Sequence, residues 1–180
     1  MKFNSKPTTF RLNRDSPLAD GLVLWLPFHD VRLVDNIRGT VFAPGSGISY
    51  IENTINGNAA RFDNNSTKNL LSTLTPVTGA PLTISCWFKD GLASTKELIG
   101  VADSATASSY FSLASQSSST PRVIRMRVGD GTVTTTSTTV GVAADDWGLA
   151  TMVCNGVADR WVYVNGGNGV QSTVSRTPTS

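Results

Sequence analysis

The sequence is poor in the residues that build helices, membrane spans and catalytic clusters. Its 180 residues include two glutamates, one histidine and two cysteines, and only 16% are charged. No apolar run approaches the roughly 20 residues that a membrane-spanning helix needs. The formal net charge of +2 gives no basic surface of the kind that binds nucleic acid. We therefore expect neither a membrane nor a nucleic-acid partner.

Serine, threonine, glycine, asparagine and valine dominate the chain, and this composition favours strands and turns. We expect a chain of this length to form one domain, or one domain with a tail, and to bury about 70% of its unfolded surface. The N-terminal segment lacks the apolar core of a secretory signal, so we expect synthesis in a reducing cytosol. Cys86 and Cys154 are then expected to be unpaired core thiols, with a disulfide between them as the alternative.

Two stretches alternate apolar and polar residues in the way that predicts strands. In residues 82–89 the even positions form one apolar face, and Trp87 lies with the odd positions on the other. In residues 121–128, Arg125 and Arg127 are predicted to line the solvated side of the strand. The opposite face, which enters the core, carries Ile124, Met126 and Val128. Glycine-containing pairs such as Asn155-Gly156 and Asn165-Gly166 predict tight turns between strands.

Turn signals recur along the chain, and no segment has the length and periodicity of an amphipathic helix. A threonine-rich run at 132–140 is expected to be a strand, with a linker as its alternative. Together these features predict an all-β protein, a two-sheet sandwich or jelly roll. The other expected strands are at 22–28, 31–34, 40–43, 48–51, 59–62, 70–74, 97–101, 110–114, 147–154, 160–164 and 170–174.

Five motifs in a fixed order resemble the concanavalin A-like jelly roll in its laminin G-like branch. They are GLVLWLPF at 21–28, GNAARFD at 57–63, PLTISCWFK at 81–89, DW at 146–147 and VYVNG at 162–166. The resemblance implies an antiparallel jelly-roll β-sandwich over residues 21–180, behind an extended N-terminal arm at residues 1–20. The family usually adds strands after VYVNG. We therefore expect either a fragment or a sandwich completed differently, with strand 22–28 beside a partner or the chain's own tail.

Residues 12–23 resemble the lead-in of bacteriophage-encoded members of this family, which are virion decorations, fibres and tail-associated proteins. This resemblance implies a non-enzymatic virion protein assembled in the host cytoplasm, with other virion proteins or copies of itself as partners. The alternative is a lectin-like adhesion module that binds surface glycans. In the arm, Lys2, Lys6, Arg11 and Arg14 form either a solvated segment or a basic docking arm for an acidic partner.

The same superfamily contains glycoside hydrolases, but the carboxylates of this chain are too dispersed for that chemistry. Retaining enzymes need two carboxyl groups about 5–5.5 Å apart, whereas Glu52 and Glu97 are far apart in sequence. Asp145-Asp146 is expected to be a turn with solvated carboxylates. His29 is expected to have a surface or capping role, because no nucleophile elbow accompanies it. We predict no catalytic residue, and an enzyme is a distant third interpretation.

Calcium is the one cofactor with candidate ligands, although no cofactor is the main expectation. Some relatives in the resembled family hold calcium at loops on the sandwich rim, and calcium prefers oxygen ligands. The candidates here are Asp63, Asn64, Asn65 and Asp130, which are also ordinary turn residues.

A glycan site usually has an aromatic platform with amides and carboxylates nearby. Trp25, Trp87, Trp147 and Trp161 are the candidates, and core packing is the expected role of each. Because Trp161 alternates with Val162, one of these two side chains must face outward. The sequence alone does not assign a sugar site.

Overall fold

The computed structural model of the chain describes residues 15, 21–22, 24, 26, 37, 43–44, 49–51, 59–62, 70–71, 77–90, 94–103, 105–106, 108–116 and 118–178. Every regular element within these residues is a strand, which confirms the prediction of an all-β protein. The chain divides into two compact units, Ser5–Pro76 and Val77–Ser180. The expected change from an arm to a sandwich at residue 21 falls mostly outside the described residues.

The unit Ser5–Pro76 contains two short antiparallel ladders. β1 (Ala43–Pro44) pairs with β4 (Leu70–Leu71), and β2 (Ser49–Ile51) pairs with β3 (Ala59–Arg61). The strands expected near 48–51 and 59–62 are therefore confirmed.

The strand predicted at 22–28, with its unpaired edge, lies largely outside the described residues. Leu22, Leu24 and Leu26 are described, and none of them is assigned to a strand. The strand predicted at 31–34 also lies outside the described residues.

The unit Val77–Ser180 contains two four-stranded antiparallel sheets among its described residues. The strands are β5 (Leu82–Lys89), β6 (Lys96–Ala102), β7 (Ser109–Gln116), β8 (Arg122–Asp130), β9 (Val133–Val142), β10 (Trp147–Gly156), β11 (Asp159–Val164) and β12 (Gly167–Ser172). Sheet I has the order β12-β11-β10-β5, and sheet II has the order β6-β7-β8-β9. The chain places β5 in sheet I, builds sheet II as a meander, and returns to sheet I, where β10 pairs with β5.

The core lies between the two sheets, as expected for a β-sandwich. Because side chains alternate across a strand, each strand sends every second residue inward. Sheet I contributes Ile84, Met152 and Val162, and sheet II contributes Leu113 and Met126, all of them buried. The predicted inward face of β5 and the predicted outward position of Arg125 and Arg127 on β8 are confirmed. The threonine-rich run is strand β9, so the linker alternative is wrong.

One glycine is required by the packing of β10 against the core. A Cβ added at Gly148 would lie 2.6 Å from Val142 Cγ2 and 2.8 Å from Phe88 Cε1. Distances this short mean that any side chain would push sheet I away from the end of β9. The glycine that follows Trp147 therefore lets the start of β10 approach the core closely.

A buried polar cluster forms where β5 ends. Ser115 Oγ donates a hydrogen bond to Asp90 Oδ2, and Arg122 Nε donates to the Asp90 carbonyl oxygen at 2.9 Å. Asp90 and Ser115 are buried, and they stand on segments that belong to different sheets. The cluster ties sheet I to sheet II at this end of the sandwich.

The chain after β12 is held against the sandwich by a buried arginine. Arg160 is 1% exposed, and its guanidinium donates to the carbonyl oxygens of Val157, Val174 and Arg176. These three carbonyls belong to the β10–β11 turn and to the C-terminal segment. A side chain that the sequence places on an ordinary strand thus anchors the end of the described chain.

A second set of contacts fixes the same segment to sheet II. Asp130 Oδ2 accepts a hydrogen bond from the Thr177 amide at 3.0 Å, and Arg176 Nε lies 3.7 Å from Asp130 Oδ1. Arg176 Nε also donates to Thr134 Oγ1 at 2.9 Å. The C-terminal segment therefore bridges the β8–β9 turn and the β10–β11 turn.

The structure confirms one of the turns predicted from asparagine–glycine pairs and contradicts another. Asn165 and Gly166 both have positive φ, as in a type I′ hairpin turn, so the tight turn predicted for this pair is confirmed. The turn predicted at Asn155-Gly156 is wrong, because β10 continues to Gly156 and the chain turns at Val157-Ala158. The final strand occupies Gly167–Ser172 rather than the predicted 170–174, because the tight turn at 165–166 starts it earlier.

Candidate functional site

The outer face of sheet I is rich in aromatic residues. The strand alternation that buries Met152 and Val162 sends Trp147, Trp161 and Tyr163 to the opposite side of the sheet. Trp87 of β5 also faces outward and pairs with Leu149 of β10. All four aromatic side chains are half-buried. They lie on the outer face of the sheet rather than in the core between the sheets.

This arrangement corrects the expected role of three tryptophans. Trp87, Trp147 and Trp161 are absent from the set of buried core residues, so core packing is the wrong interpretation for them. The open choice between Trp161 and Val162 is resolved, because Val162 is completely buried. Trp25 lies outside the described residues.

Trp161 and Tyr163 form a near-parallel pair on β11. Their ring centroids are 6.1 Å apart, and their planes differ by 17°. Two residues separated by one position on a strand point to the same face, which brings the rings side by side. We call this pair, together with Asp159 and Gln171, the aromatic platform.

The Tyr163 ring leans across the neighbouring strand. The position that a Cβ of Gly169 would take lies 2.9 Å from Tyr163 Cδ1 and 3.2 Å from Cζ. The ring therefore occupies the space above β12 that a side chain at residue 169 would fill. Because Gly169 has no side chain, the Tyr163 ring can lie across β12 at this position.

A carboxylate fixes the orientation of the Trp161 ring. Trp161 Nε1 and Gln171 Nε2 each donate a hydrogen bond to Asp159 Oδ1 at 2.9 Å. Asn155 Nδ2 donates to Asp159 Oδ2 at 2.8 Å. Asp159 thus connects β10, β11 and β12, and its hydrogen bond holds the indole in one position.

The same contacts favour the ionised form of Asp159. Hydrogen bonds from the side chains of Asn155, Gln171 and Trp161, in that order of importance, lower the pKa of Asp159 below its ordinary value. The carboxylate is consequently charged at neutral pH. A carboxylate has about four lone-pair positions, and three are used here, so the group has capacity for one more donor.

Hydroxyl groups lie beside the platform. Thr151 of β10 pairs with Tyr163 across the sheet, and Ser85 Oγ of β5 donates to Thr151 Oγ1 at 2.9 Å. The outer face therefore combines two aromatic rings with a carboxylate, an amide and two hydroxyls. Such a combination suits a ligand that has both an apolar face and polar edges.

Sequence reasoning missed most of this site. Trp161 was a candidate, whereas Tyr163, Asp159 and Gln171 were not identified. The signal that could have found Tyr163 is its position two residues after Trp161 on the same strand. Gln171 is twelve residues from Asp159 in the chain, and only the hairpin register brings the two together.

Asp130, the described member of the predicted calcium set, has partners within the chain. Its two carboxylate oxygens face the Thr177 amide and the Arg176 guanidinium. The hydrogen bond from Thr177 is the largest of the effects that lower the pKa of Asp130. These contacts give Asp130 a structural role, and the other candidates, Asp63, Asn64 and Asn65, lie outside the described residues.

The remaining predicted functional residues divide into two groups. Asp145 and Asp146 are exposed in the turn before β10, and Glu97 pairs with Arg127 on sheet II. The second group lies outside the described residues: Lys2, Lys6, Arg11, Arg14, His29 and Glu52.

The two cysteines are free thiols, which contradicts the disulfide alternative. Both lie on inward faces of sheet I, Cys86 on β5 and Cys154 on β10. Burial raises the pKa of Cys86 to about 12 and that of Cys154 to about 11. They act as small core hydrophobes and not as nucleophiles.

In the part of the chain that the structure describes, no cluster of three or more histidine, cysteine, aspartate or glutamate residues is arranged to hold a metal ion. Nor do these described residues form a helix of the length and apolarity that crossing a membrane requires.

Comparisons with protein-family models, with curated proteins and with solved structures find no match to this chain.

Proposed function

We propose that this chain is a non-enzymatic binding domain that holds a carbohydrate on the outer face of sheet I. The observation that supports this proposal best is the Trp161–Tyr163 pair, with centroids 6.1 Å apart and the indole fixed by Asp159. Tryptophan and tyrosine give large, rigid contact areas at a low cost in conformational entropy. The proposal takes up the lectin-like alternative that the sequence left open and is supported by a specific surface of sheet I.

The chemistry of a sugar ring matches the platform. One side of a pyranose carries mostly C–H groups, which pack against an aromatic face, while its hydroxyls project from the ring edge. Polar groups beside the rings would hydrogen-bond these edge hydroxyls: the Asp159 carboxylate, the Gln171 amide and the Thr151 hydroxyl. Because Asp159 already holds the Trp161 ring, little side-chain freedom is lost when a ligand binds.

The platform is proposed to bind a glycan without hydrolysing it. Glycoside hydrolysis uses a pair of carboxyl groups on either side of the scissile bond, and the platform has one carboxylate, Asp159. The hydrogen bonds at Asp159 favour its charged form, whereas a general acid must keep its proton near neutral pH. Both points support a binding role.

The proposal extends to the context that the sequence resemblance implies. We propose a jelly-roll connectivity with an extended N-terminal arm, and a place on the surface of a bacteriophage virion. Lys2, Lys6, Arg11 and Arg14 would then dock the arm to an acidic virion protein, while sheet I displays its outer face. The support for this part is the resemblance of residues 12–23 and of the five ordered motifs.

A glycan array with the purified chain tests the carbohydrate proposal. We expect binding to a limited set of glycans, reduced about tenfold or more by Trp161→Ala and by Tyr163→Ala. Tyr110→Ala, on β7 of sheet II, is the matched aromatic control and should bind as the unchanged chain does. If no glycan binds, or if Tyr110→Ala weakens binding as much as the platform variants do, the proposal fails.

Incorporation into virus particles tests the docking proposal separately. The chain lacking residues 1–20, and a variant with Lys2, Lys6, Arg11 and Arg14 changed to glutamine, would be expressed during particle assembly. We expect the unchanged chain to co-purify with particles at fixed stoichiometry and both variants to be lost. Incorporation of both variants at the unchanged level would contradict a basic docking arm.

A further inference from the structure

A depression of about 390 Å³ lies at the end of the sandwich next to the aromatic platform. Its volume falls near the lower end of the range of about 300–1,000 Å³ typical of small-molecule sites, so it suits a ligand of one or two rings. The depression is formed by the last residues of β9, the β9–β10 turn and the β11–β12 turn, with Pro121 on its border. Every described residue of this lining belongs to the unit Val77–Ser180.

The depression and the platform are continuous along β11 and β12. Asn165 lies two residues after Tyr163, so the two are about 7 Å apart along the strand. Asn168, which also lines the depression, directly precedes Gly169 beneath the Tyr163 ring. Trp161, Tyr163 and the depression therefore follow one another in a line, at intervals comparable with the length of a sugar residue.

The lining combines an apolar floor with polar groups at its border. Val142 and Val164 are buried residues that contribute the floor, and Trp147 forms part of the wall. Asp146 and Asn168 are exposed at the border. Its described residues include a carboxylate and no lysine or arginine, which disfavours an anionic ligand and favours a neutral or cationic one.

The border residues are held by the fold. Asn165 Oδ1 accepts a hydrogen bond from the Leu149 amide at 2.9 Å, and the Asn165 amide donates to the Leu149 carbonyl at 2.8 Å. These contacts tie the type I′ turn to β10, so the depression has a fixed outline. Among the described residues, the Asp146 carboxylate and the Asn168 side-chain amide have no hydrogen-bond partner, and both are available to a ligand.

We infer that the depression takes the terminal residue of a neutral glycan chain whose next two residues lie on Tyr163 and Trp161. This inference rests on the proposed carbohydrate function and adds that the domain recognises chain ends. The depression lies at the end of the sandwich and is bordered by the β9–β10 and β11–β12 turns, so in this proposal the glycan chain ends there. Asp146 and Asn168 would bind the hydroxyls of the end residue, and a uronic or sialic acid would be rejected by the Asp146 charge.

Titration calorimetry with defined hexasaccharides tests the inference. The probes are the β-1,4-linked glucose, mannose and N-acetylglucosamine hexamers and the α-1,4-linked glucose hexamer. Each is used unmodified, with the 4-hydroxyl of its non-reducing end methylated, and with its reducing end reduced to the alditol. We expect at least one hexamer to bind, and one of its two end modifications to weaken binding about tenfold or more.

Two adjacent carboxylates supply a matched pair of variants. Asp146 lines the depression and Asp145 does not, so Asp146→Asn is expected to weaken binding of the unmodified hexamer and Asp145→Asn to leave it unchanged. Asn168 has a φ of 53°, which glycine also adopts, so Asn168→Gly removes the amide without straining the turn. For both depression variants, the hexamer with the blocked end should bind as weakly as it does to the unchanged chain.

The outcomes separate the inference from the proposed function. If a hexamer binds equally well in all three forms and Trp161→Ala still abolishes binding, the platform binds glycans but the chain-end inference is wrong. If no hexamer and no array glycan binds, both proposals are wrong. If Asp145→Asn weakens binding as much as Asp146→Asn does, the carboxylates act through general charge, and the assigned role of the depression is also wrong.

Discussion

The ring of Tyr163 on β11 fills the space directly above Gly169 on β12. The two residues belong to neighbouring strands of one hairpin, and the absence of a side chain at residue 169 allows the ring to lie across the strand. This packing determines the position of the Tyr163 ring on the outer face of sheet I. A substitution at Gly169 can therefore test whether the ring position matters for binding.

We predict that Gly169→Ala displaces the Tyr163 ring and weakens glycan binding severalfold. The new Cβ would lie closer than 3 Å to two ring carbons, a separation that real Cβ contacts do not show. The ring is the outer part of a surface side chain, so the cost in stability is expected to be about 1 kcal/mol or less. Binding is measured by calorimetry and stability by urea unfolding.

Gly156→Ala is the matched control for this prediction. A Cβ at Gly156 would meet no atom within 4 Å, so binding and stability should both stay close to those of the unchanged chain. Equal binding by the Gly169 and Gly156 variants would show that the position of the Tyr163 ring does not matter for the ligand.

Asp159 makes the fluorescence of the platform sensitive to acid. Its folded-state pKa is lowered, chiefly by the Asn155 hydrogen bond, so the ionised network is fully present above the ordinary carboxyl pKa of about 3.9. It is lost only as the pH falls through the lower folded-state value. We predict a change in tryptophan emission below pH of about 3.9, with glycan binding maintained at pH 5.

Asp159→Asn identifies the group responsible for the acid transition. The amide does not titrate in this range, so the transition assigned to Asp159 should disappear from a fluorescence titration of the variant. Persistence of the same transition in the variant would assign it to another carboxyl group and would remove Asp159 as the group that positions Trp161.

The sequence predicted the faces of the strands better than their pairing. In β5 and β8 the alternation of apolar and polar residues fixed which side chains are buried, because a period of two leaves one choice once the core side is known. In β11 both Trp161 and Val162 are hydrophobic, so alternation could not say which of them enters the core. The strand pairing decides between them, because Val162 pairs with the buried residue Met152 and therefore also faces the core.

Turns and long-range polar contacts were harder to predict for a physical reason. Asn165-Gly166 adopts the positive φ values that an asparagine–glycine pair favours. Asn155-Gly156 has the same residues but stays in β10, where the Asn155 amide bonds to Asp159 instead. The choice depends on the register with β11, which a local motif does not contain. The same holds for the contact between Asp159 and Gln171.

Arg160 is expected to be among the most costly positions to change. It is 1% exposed and donates to three backbone carbonyls, and removing it takes this donor from each of them. The Val157 carbonyl keeps the hydrogen bond from the Arg176 amide. We predict that Arg160→Met lowers the free energy of unfolding by about 2–4 kcal/mol. Urea unfolding gives the stability, and limited proteolysis shows whether the C-terminal segment is released.

Arg127→Met is the matched control for Arg160→Met. Arg127 forms a solvent-exposed ion pair with Glu97, and its guanidinium lies 5.7 Å from the centre of the Tyr110 ring. Exposed pairs of this kind contribute about 1 kcal/mol or less. Similar losses of stability in the two variants would contradict the anchoring role assigned to Arg160.

The buried thiols predict both low reactivity and sensitivity to alkali. With pKa values of about 12 for Cys86 and about 11 for Cys154, no more than about one thiol in a thousand is ionised at pH 8. An aromatic disulfide reagent should therefore modify neither cysteine in the folded chain within minutes, and both after denaturation. Unfolding exposes the thiols and returns their pKa to about 8.5. The stability that they contribute is thus complete below that pH and is lost as the pH rises towards 11. Rapid modification of the folded chain at pH 8 would place at least one thiol outside the core, and the single variants Cys86→Ala and Cys154→Ala would show which.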